Sequence, residues 1–141
     1  MTYAQILVRL TVVFTALAST NCNEAASPTV PSSPTSPVTV VYESQLYPRG
    51  AASRTLAIAL AGNVTVTLTS VRPDSSVVLG LGLGIPRADG GGCLLSYSVS
   101  TVSGTAPQLT AVTDPGTYCI KVFDTGALTN DLTFSITIVH P

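Results

Sequence analysis

Beyond residue 37 the chain alternates apolar and polar positions with a period of two, and the alternation breaks mainly at Gly, Pro, Asn and Asp. That period puts successive side chains on opposite faces of an extended strand. VTVVYES (38–44) predicts a first strand, and SRTLAIAL (53–60) a second with Leu56, Ile58 and Leu60 on one face. AGN then turns the chain into VTVTLTSV (64–71), with Val64, Val66 and Leu68 inward and threonines outward, which predicts a hairpin. In SSVVLGLGLGIP (75–86), Val77, Leu79, Leu81, Leu83 and Ile85 share one parity, and Gly80, Gly82 and Gly84 take the other. The loop ADGGGC leads into CLLSYSVS (93–100), with Leu95, Tyr97 and Val99 on one side. TAPQLTAV (105–112) is a short strand or extended link. DPG turns into TYCIKVFD (117–124), aligning Tyr118, Ile120 and Val122, and LTFSITIVHP (132–141) aligns Leu132, Phe134, Ile136 and Ile138. Seven or eight short strands without an amphipathic helix predict an all-β fold, an antiparallel β-sandwich over residues 38–141.

The front of the chain follows a different pattern. Arg9 precedes a short apolar run, Leu10 to Leu17, and Ala16-Leu17-Ala18 supplies a small-x-small exit. This order of charge, apolar core and small residues predicts a signal peptide over residues 1–21, cleaved after 18 or 21. The apolar run is shorter than the ~20 residues a spanning helix needs. Residues 22–37 read as a Pro/Ser/Thr-rich tether, with Pro28, Pro31, Pro34 and Pro37 three apart. Polyproline II has three residues per turn, so the four rings share one edge of a semi-rigid spacer reaching about 45 Å. Such a segment suits a stalk that lifts a domain off a surface.

Composition narrows the partners. Charged residues make up 9% of the 141 and the net charge is −1. The few basic residues are scattered, so nucleic acid is not an expected partner. Gly80-x-Gly82-x-Gly84 is followed by Pro86, not by a helix, so a strand face is favoured over a nucleotide loop.

An exported chain meets an oxidising compartment in which thiols pair. Cys93 and Cys119 are the two cysteines of the folded region, and neither a C-x-x-C motif nor a Cys-His cluster is present, so a structural disulfide ranks above a metal or redox site. Cys22 is the odd one out. Standing four residues past Ala18, it resembles the lipid-acceptor cysteine of bacterial lipoproteins, although Ser19 and Asn21 depart from the lipobox. Lipidation at Cys22 would make the membrane a partner through a lipid anchor; the other reading is simple cleavage after Ala18.

GNVTVTLTSV followed by DPGTYCIKVFDTG and LTFSITIVHP resembles the bacterial pre-peptidase C-terminal (PPC) domain over residues 50–141, with Gly116, Thr117, Tyr118, Ile120 and Val122 in its middle element. Cys119 replaces the family's usual aromatic, and residues 1–37 ahead of the domain do not read as a protease. The resemblance implies a PPC-like sandwich and an extracellular binding or spacer module, with a hydrolase-associated role ranked behind. DPGTYC also resembles the immunoglobulin corner, which makes an immunoglobulin-like sandwich the second choice of fold.

Catalytic residues are not expected. The single histidine, His140, sits next to the C-terminus, and no positioned acid–base pair is visible. No cofactor is expected other than calcium, whose candidate ligands are Asp114, Asp124 and Asp131; turn formation is the simpler role for all three. Tyr42, Tyr47 and Tyr97 are the candidate ligand-binding residues, since an exposed tyrosine ring stacks on a sugar. Two functions follow: a non-catalytic module at the bacterial cell envelope that binds a glycan or protein, or an accessory envelope lipoprotein making protein contacts through a sheet edge.

Overall fold

The computed structural model describes residues 36–141. The readings of a signal peptide over 1–21, of Cys22 and of most of the tether lie outside these residues. Eight strands form: β1 (Val38–Leu46), β2 (Ala51–Ile58), β3 (Gly62–Arg72), β4 (Leu79–Pro86), β5 (Cys93–Thr101), β6 (Leu109–Thr113), β7 (Gly116–Asp124) and β8 (Leu132–His140). They make two four-stranded antiparallel sheets in the orders β1-β8-β3-β6 and β2-β7-β4-β5.

The connectivity follows one rule. The chain doubles back at the Arg87–Gly92 loop, closed by the Arg87 N–H on the Gly92 carbonyl at 2.9 Å. From there β4 pairs β5, β3 pairs β6, β2 pairs β7 and β1 pairs β8. One long antiparallel ribbon has thus been rolled into two sheets, the jelly-roll arrangement. That order differs from the immunoglobulin sandwich, although Tyr118 does make the tyrosine-corner bond, its hydroxyl donating to the Asp114 carbonyl at 3.0 Å.

The rolled ribbon corrects the expected β2–β3 hairpin, because β2 and β3 stand in opposite sheets. Both strands point their apolar parity into the core, and period-two alternation is the same for a hairpin and for an arch between sheets. Leu60 falls in the connection and is 44% exposed, not aligned with Leu56 and Ile58.

The inner faces follow the alternation elsewhere. Val64, Val66, Leu68, Leu79, Leu81, Leu83, Ile120, Val122, Ile136 and Ile138 are buried at 1% exposure or less, and Phe134 sits among them. Ile85, at the end of β4, overhangs the core and is exposed.

Two β-bulges interrupt the period. In β3 the register with β8 shifts between Leu68 and Ser70, so Val71 faces the core opposite Phe134 while Ser70 and Arg72 turn outward. In β5 the partners of Leu83 and Gly84 are Tyr97 and Leu95, which leaves Ser96 unpaired. One extra residue reverses the facing of what precedes it. Leu95 therefore lies on the outer face over Gly82, not on the same side as Tyr97 and Val99 as the alternation predicts.

The glycine stripe of β4 is filled by the domain's own side chains. Phe123 lies over Gly80 and Leu95 over Gly82. At Gly84 it is backbone that approaches: a Cβ there would meet the Leu94 carbonyl and come within 2.7 Å of the Leu95 Cα. Beside it the Cys93–Cys119 disulfide joins β5 to β7 across β4, with a Cα separation of 5.9 Å. The expected pairing of Cys93 with Cys119 is present.

Candidate functional site

The β5 bulge and the β6–β7 turn build a cleft at one end of the sandwich. Pro115 keeps Asp114 out of the helical region and Gly116 opens β7, so Asp114 stands at the rim. The corner bond, donated by the Tyr118 hydroxyl to the Asp114 carbonyl, holds the Tyr118 ring half-buried on the wall. Across from it, the unpaired Ser96 displaces edge strand β5 and aims Tyr97, which is 50% exposed. The cleft encloses about 200 Å³ and is lined by Tyr97, Tyr118, Asp114, Thr113, Ser96 and Val112, with Leu83 and Gly84 also in its wall.

The polar groups here have capacity to spare. Among the described residues, the Tyr97 hydroxyl and the Asp114 carboxylate have no hydrogen-bond partner and no ion pair. Asp114 is the one charged group in the lining. Two phenol rings, one acceptor carboxylate and two small hydroxyls suit an uncharged polyhydroxylated ring: the rings offer apolar faces, and the carboxylate accepts strong hydrogen bonds from hydroxyls.

The structure separates the three candidate tyrosines. Only Tyr97 reaches the cleft. Tyr42 is half-buried, edge-on to Phe134 with ring centroids 5.8 Å apart, and the Arg54 guanidinium lies 5.6 Å from its centroid. Its faces are in use as packing. Tyr47 is 59% exposed in the β1–β2 connection, its hydroxyl bonded to Gln45 at 3.1 Å, and it sits at the opposite end of the sandwich from the cleft. In the sequence Tyr118 is legible as an inward-facing strand residue and as part of the two resemblances, not as a ligand-binding candidate; the Asp-x-Gly-x-Tyr spacing is the signal that marks it as a corner residue.

The three candidate calcium ligands do not assemble. Asp114 stands two residues before β7 and Asp124 is the last residue of that strand, so the two lie at opposite ends of it, about 30 Å apart at strand rise. Among the described residues no three His, Cys, Asp or Glu side chains come together as a metal site. Asp131 accepts from the Gln45 amide. Asp124 organises its own turn: its carboxylate accepts the Arg49 N–H at 2.7 Å and those of Gly126, Ala127 and Leu128 at 2.8, 2.9 and 3.1 Å. These bonds, the Arg49 one foremost, outweigh desolvation and hold the carboxyl below its ordinary range. A depressed folded pKa gives stability that is present above the unfolded value and lost as pH falls through the folded one. The wild-type advantage in thermal midpoint over Asp124→Asn is therefore expected to be full at neutral pH and to close below about pH 4. A gap that stays constant through that window would assign the turn's stability to other groups.

His140 is buried at the end of β8, its Nδ1 2.8 Å from the Pro141 oxygen. Compared with known proteins, the chain matches no family model and no curated protein.

Proposed function

We propose that this chain is a non-catalytic, extracytoplasmic binding module whose cleft at Tyr97 takes a sugar unit of a glycan at the bacterial cell envelope. The observation that carries the reading is the convergence of Tyr97, Tyr118 and the unpaired Asp114 carboxylate on one cleft open to solvent. Export is supported by the leader-like segment and by the disulfide, which is consistent with an oxidising compartment. A stalk of residues 22–37, anchored through a lipid on Cys22, would hold the cleft away from the membrane. The eight-stranded sandwich is compatible with the PPC resemblance, which points to the same kind of secreted accessory module.

A glycan array probed with wild type and with Tyr97→Ser tests the reading. Wild type is expected to retain neutral glycans. The variant is expected to bind about tenfold or more weakly, the size of one lost aromatic contact, with an unmoved thermal midpoint because the ring is half exposed. Retention of no neutral glycan, or binding indifferent to Tyr97, refutes it.

One observation favours the second reading, an accessory protein that contacts envelope partners. Edge strand β5 runs nine residues without a charge or a proline, the devices that usually guard a free edge. Cross-linking in intact cells that captures one protein through β5, together with an empty glycan array, would select it.

A further inference from the structure

The bulge in β3 builds a second site on the outer face of the β1-β8-β3-β6 sheet, distant from the tyrosine cleft in composition and in the strands it uses. Strict alternation from Val64, Val66 and Leu68 would turn Ser70 and Arg72 into the core. The register shift between Leu68 and Ser70 turns them out instead. The Thr69 hydroxyl, at the point of the shift, donates to the Ser135 carbonyl at 3.0 Å and holds the bulge to β8. Bulges re-aim side chains beside functional sites, and here the side chain re-aimed is an arginine.

Arg72 faces a depression of about 460 Å³ whose far rim is Glu43. Ser135 stands between Glu43 and Ser70 in the strand register, and Thr133 is paired with Arg72. Across this sheet face the outward residues of β1, β8, β3 and β6 are otherwise Thr, Ser, Val, Gln and Asn. The face thus carries two charges, opposite in sign, on strands that flank β8 and at diagonal positions about 12 Å apart between Cα atoms. They do not neutralise each other: among the described residues the one ion pair is Arg87–Asp89, and neither the Glu43 nor the Arg72 side chain has a hydrogen-bond partner. The nearest further carboxylate along β8, Asp131, is taken by Gln45.

An unpaired guanidinium and an unpaired carboxylate facing each other across short hydroxyls are complementary to a ligand with both charges. We propose that this depression binds a small zwitterion, its carboxylate or phosphate held by Arg72 with the Ser70 and Thr133 hydroxyls, and its ammonium held by Glu43 with Ser135. A planar guanidinium binds either oxyanion through paired N–H donors, so the anionic half is defined by chemistry and not by source. The ammonium half excludes simple anions as the preferred ligand.

Amide chemical-shift titration of the full-length protein tests this with four probes: O-phosphoethanolamine, glycylglycine, inorganic phosphate and ethanolamine. At least one zwitterion is expected to saturate shifts on β1, β3 and β8 around Glu43, Arg72 and Ser135, about tenfold more tightly than phosphate or ethanolamine alone. Preference for phosphoethanolamine would point to a headgroup-like ligand, and preference for the dipeptide to a peptide-like one. Arg72→Gln and Glu43→Gln, both at exposed positions, are each expected to weaken the zwitterion about tenfold with the thermal midpoint held, and Tyr97→Ser to leave it unchanged. Equal affinity for phosphate and phosphoethanolamine, shifts elsewhere on the domain, or binding indifferent to both rim variants would overturn the proposal.

Discussion

Gly84→Ala is expected to lower the thermal midpoint by about 15 °C, the largest effect of any single methyl added to this domain. The obstacle is backbone: the new Cβ would run into the Leu94 carbonyl and lie 2.6 Å from its carbon. A flexible side chain can swing away from such a contact, but a strand cannot move without losing its ladder. Overpacking of this kind costs about 3 kcal/mol, and a domain of this size loses roughly 4–8 °C per kcal/mol. Gly116→Ala is the matched control. A Cβ there meets the Tyr118 ring at an ordinary 3.5 Å, so its midpoint is expected to move little. Equal shifts in the two variants would mean that β5 does not pass over β4 at Gly84.

Removal of the disulfide by Cys93→Ala with Cys119→Ala is expected to cost about 3.5 kcal/mol, from the loop entropy of a 26-residue separation. That is a large share of the ~5–15 kcal/mol that holds an ordinary domain folded. The bridge also has a local task. It ties the first residue of β5 to β7, two strands away, and so draws Cys93 and Leu94 across the bare backbone of Gly84. The bulge at Ser96 and the residue after it, Tyr97, come directly after that crossing along β5. Two consequences are measurable by denaturant melts and by the glycan array. If the cleft takes a glycan as proposed, the double-cysteine variant should bind it more weakly than wild type even where it is fully folded. Gly84→Ala should cost less in that background than in wild type, because an untied β5 can lift away from the added methyl. Full additivity of the two perturbations would separate the bridge from the crossing.

Much of the fold was legible in the period of the sequence. Ile120 and Val122, or Phe134, Ile136 and Ile138, sit where alternation places them, since a half-buried strand must put one parity inside. The pairing of Cys93 with Cys119 was legible from parity and compartment. Strand partners were not. Period two says which face is inward and nothing about which strand lies alongside, so β2 and β3 looked like a hairpin and are an arch between sheets. The bulges were hidden for a related reason. An inserted residue such as Ser96 or Thr69 has no composition of its own, and it reverses the facing of Leu95 and of Arg72. Both candidate sites lie at these interruptions. Tyr97 was visible as an exposed aromatic, whereas Arg72 and Glu43 gave no signal, because only the pairing of β1 and β3 with β8 places them around one depression.

The sulfur bridge links the fold to the cleft and to the proposed compartment, and it can be read in protein recovered from the cells that make it. Alkylation under denaturing, non-reducing conditions, followed by peptide mass mapping, reports both cysteines at once. The expected result is a single cross-linked peptide pair joining Cys93 to Cys119 with neither thiol labelled. Label on both residues in the native protein would mean that the chain lives reduced, and the clamped crossing at Gly84, the aim of Tyr97 and the extracytoplasmic address would lose their common support.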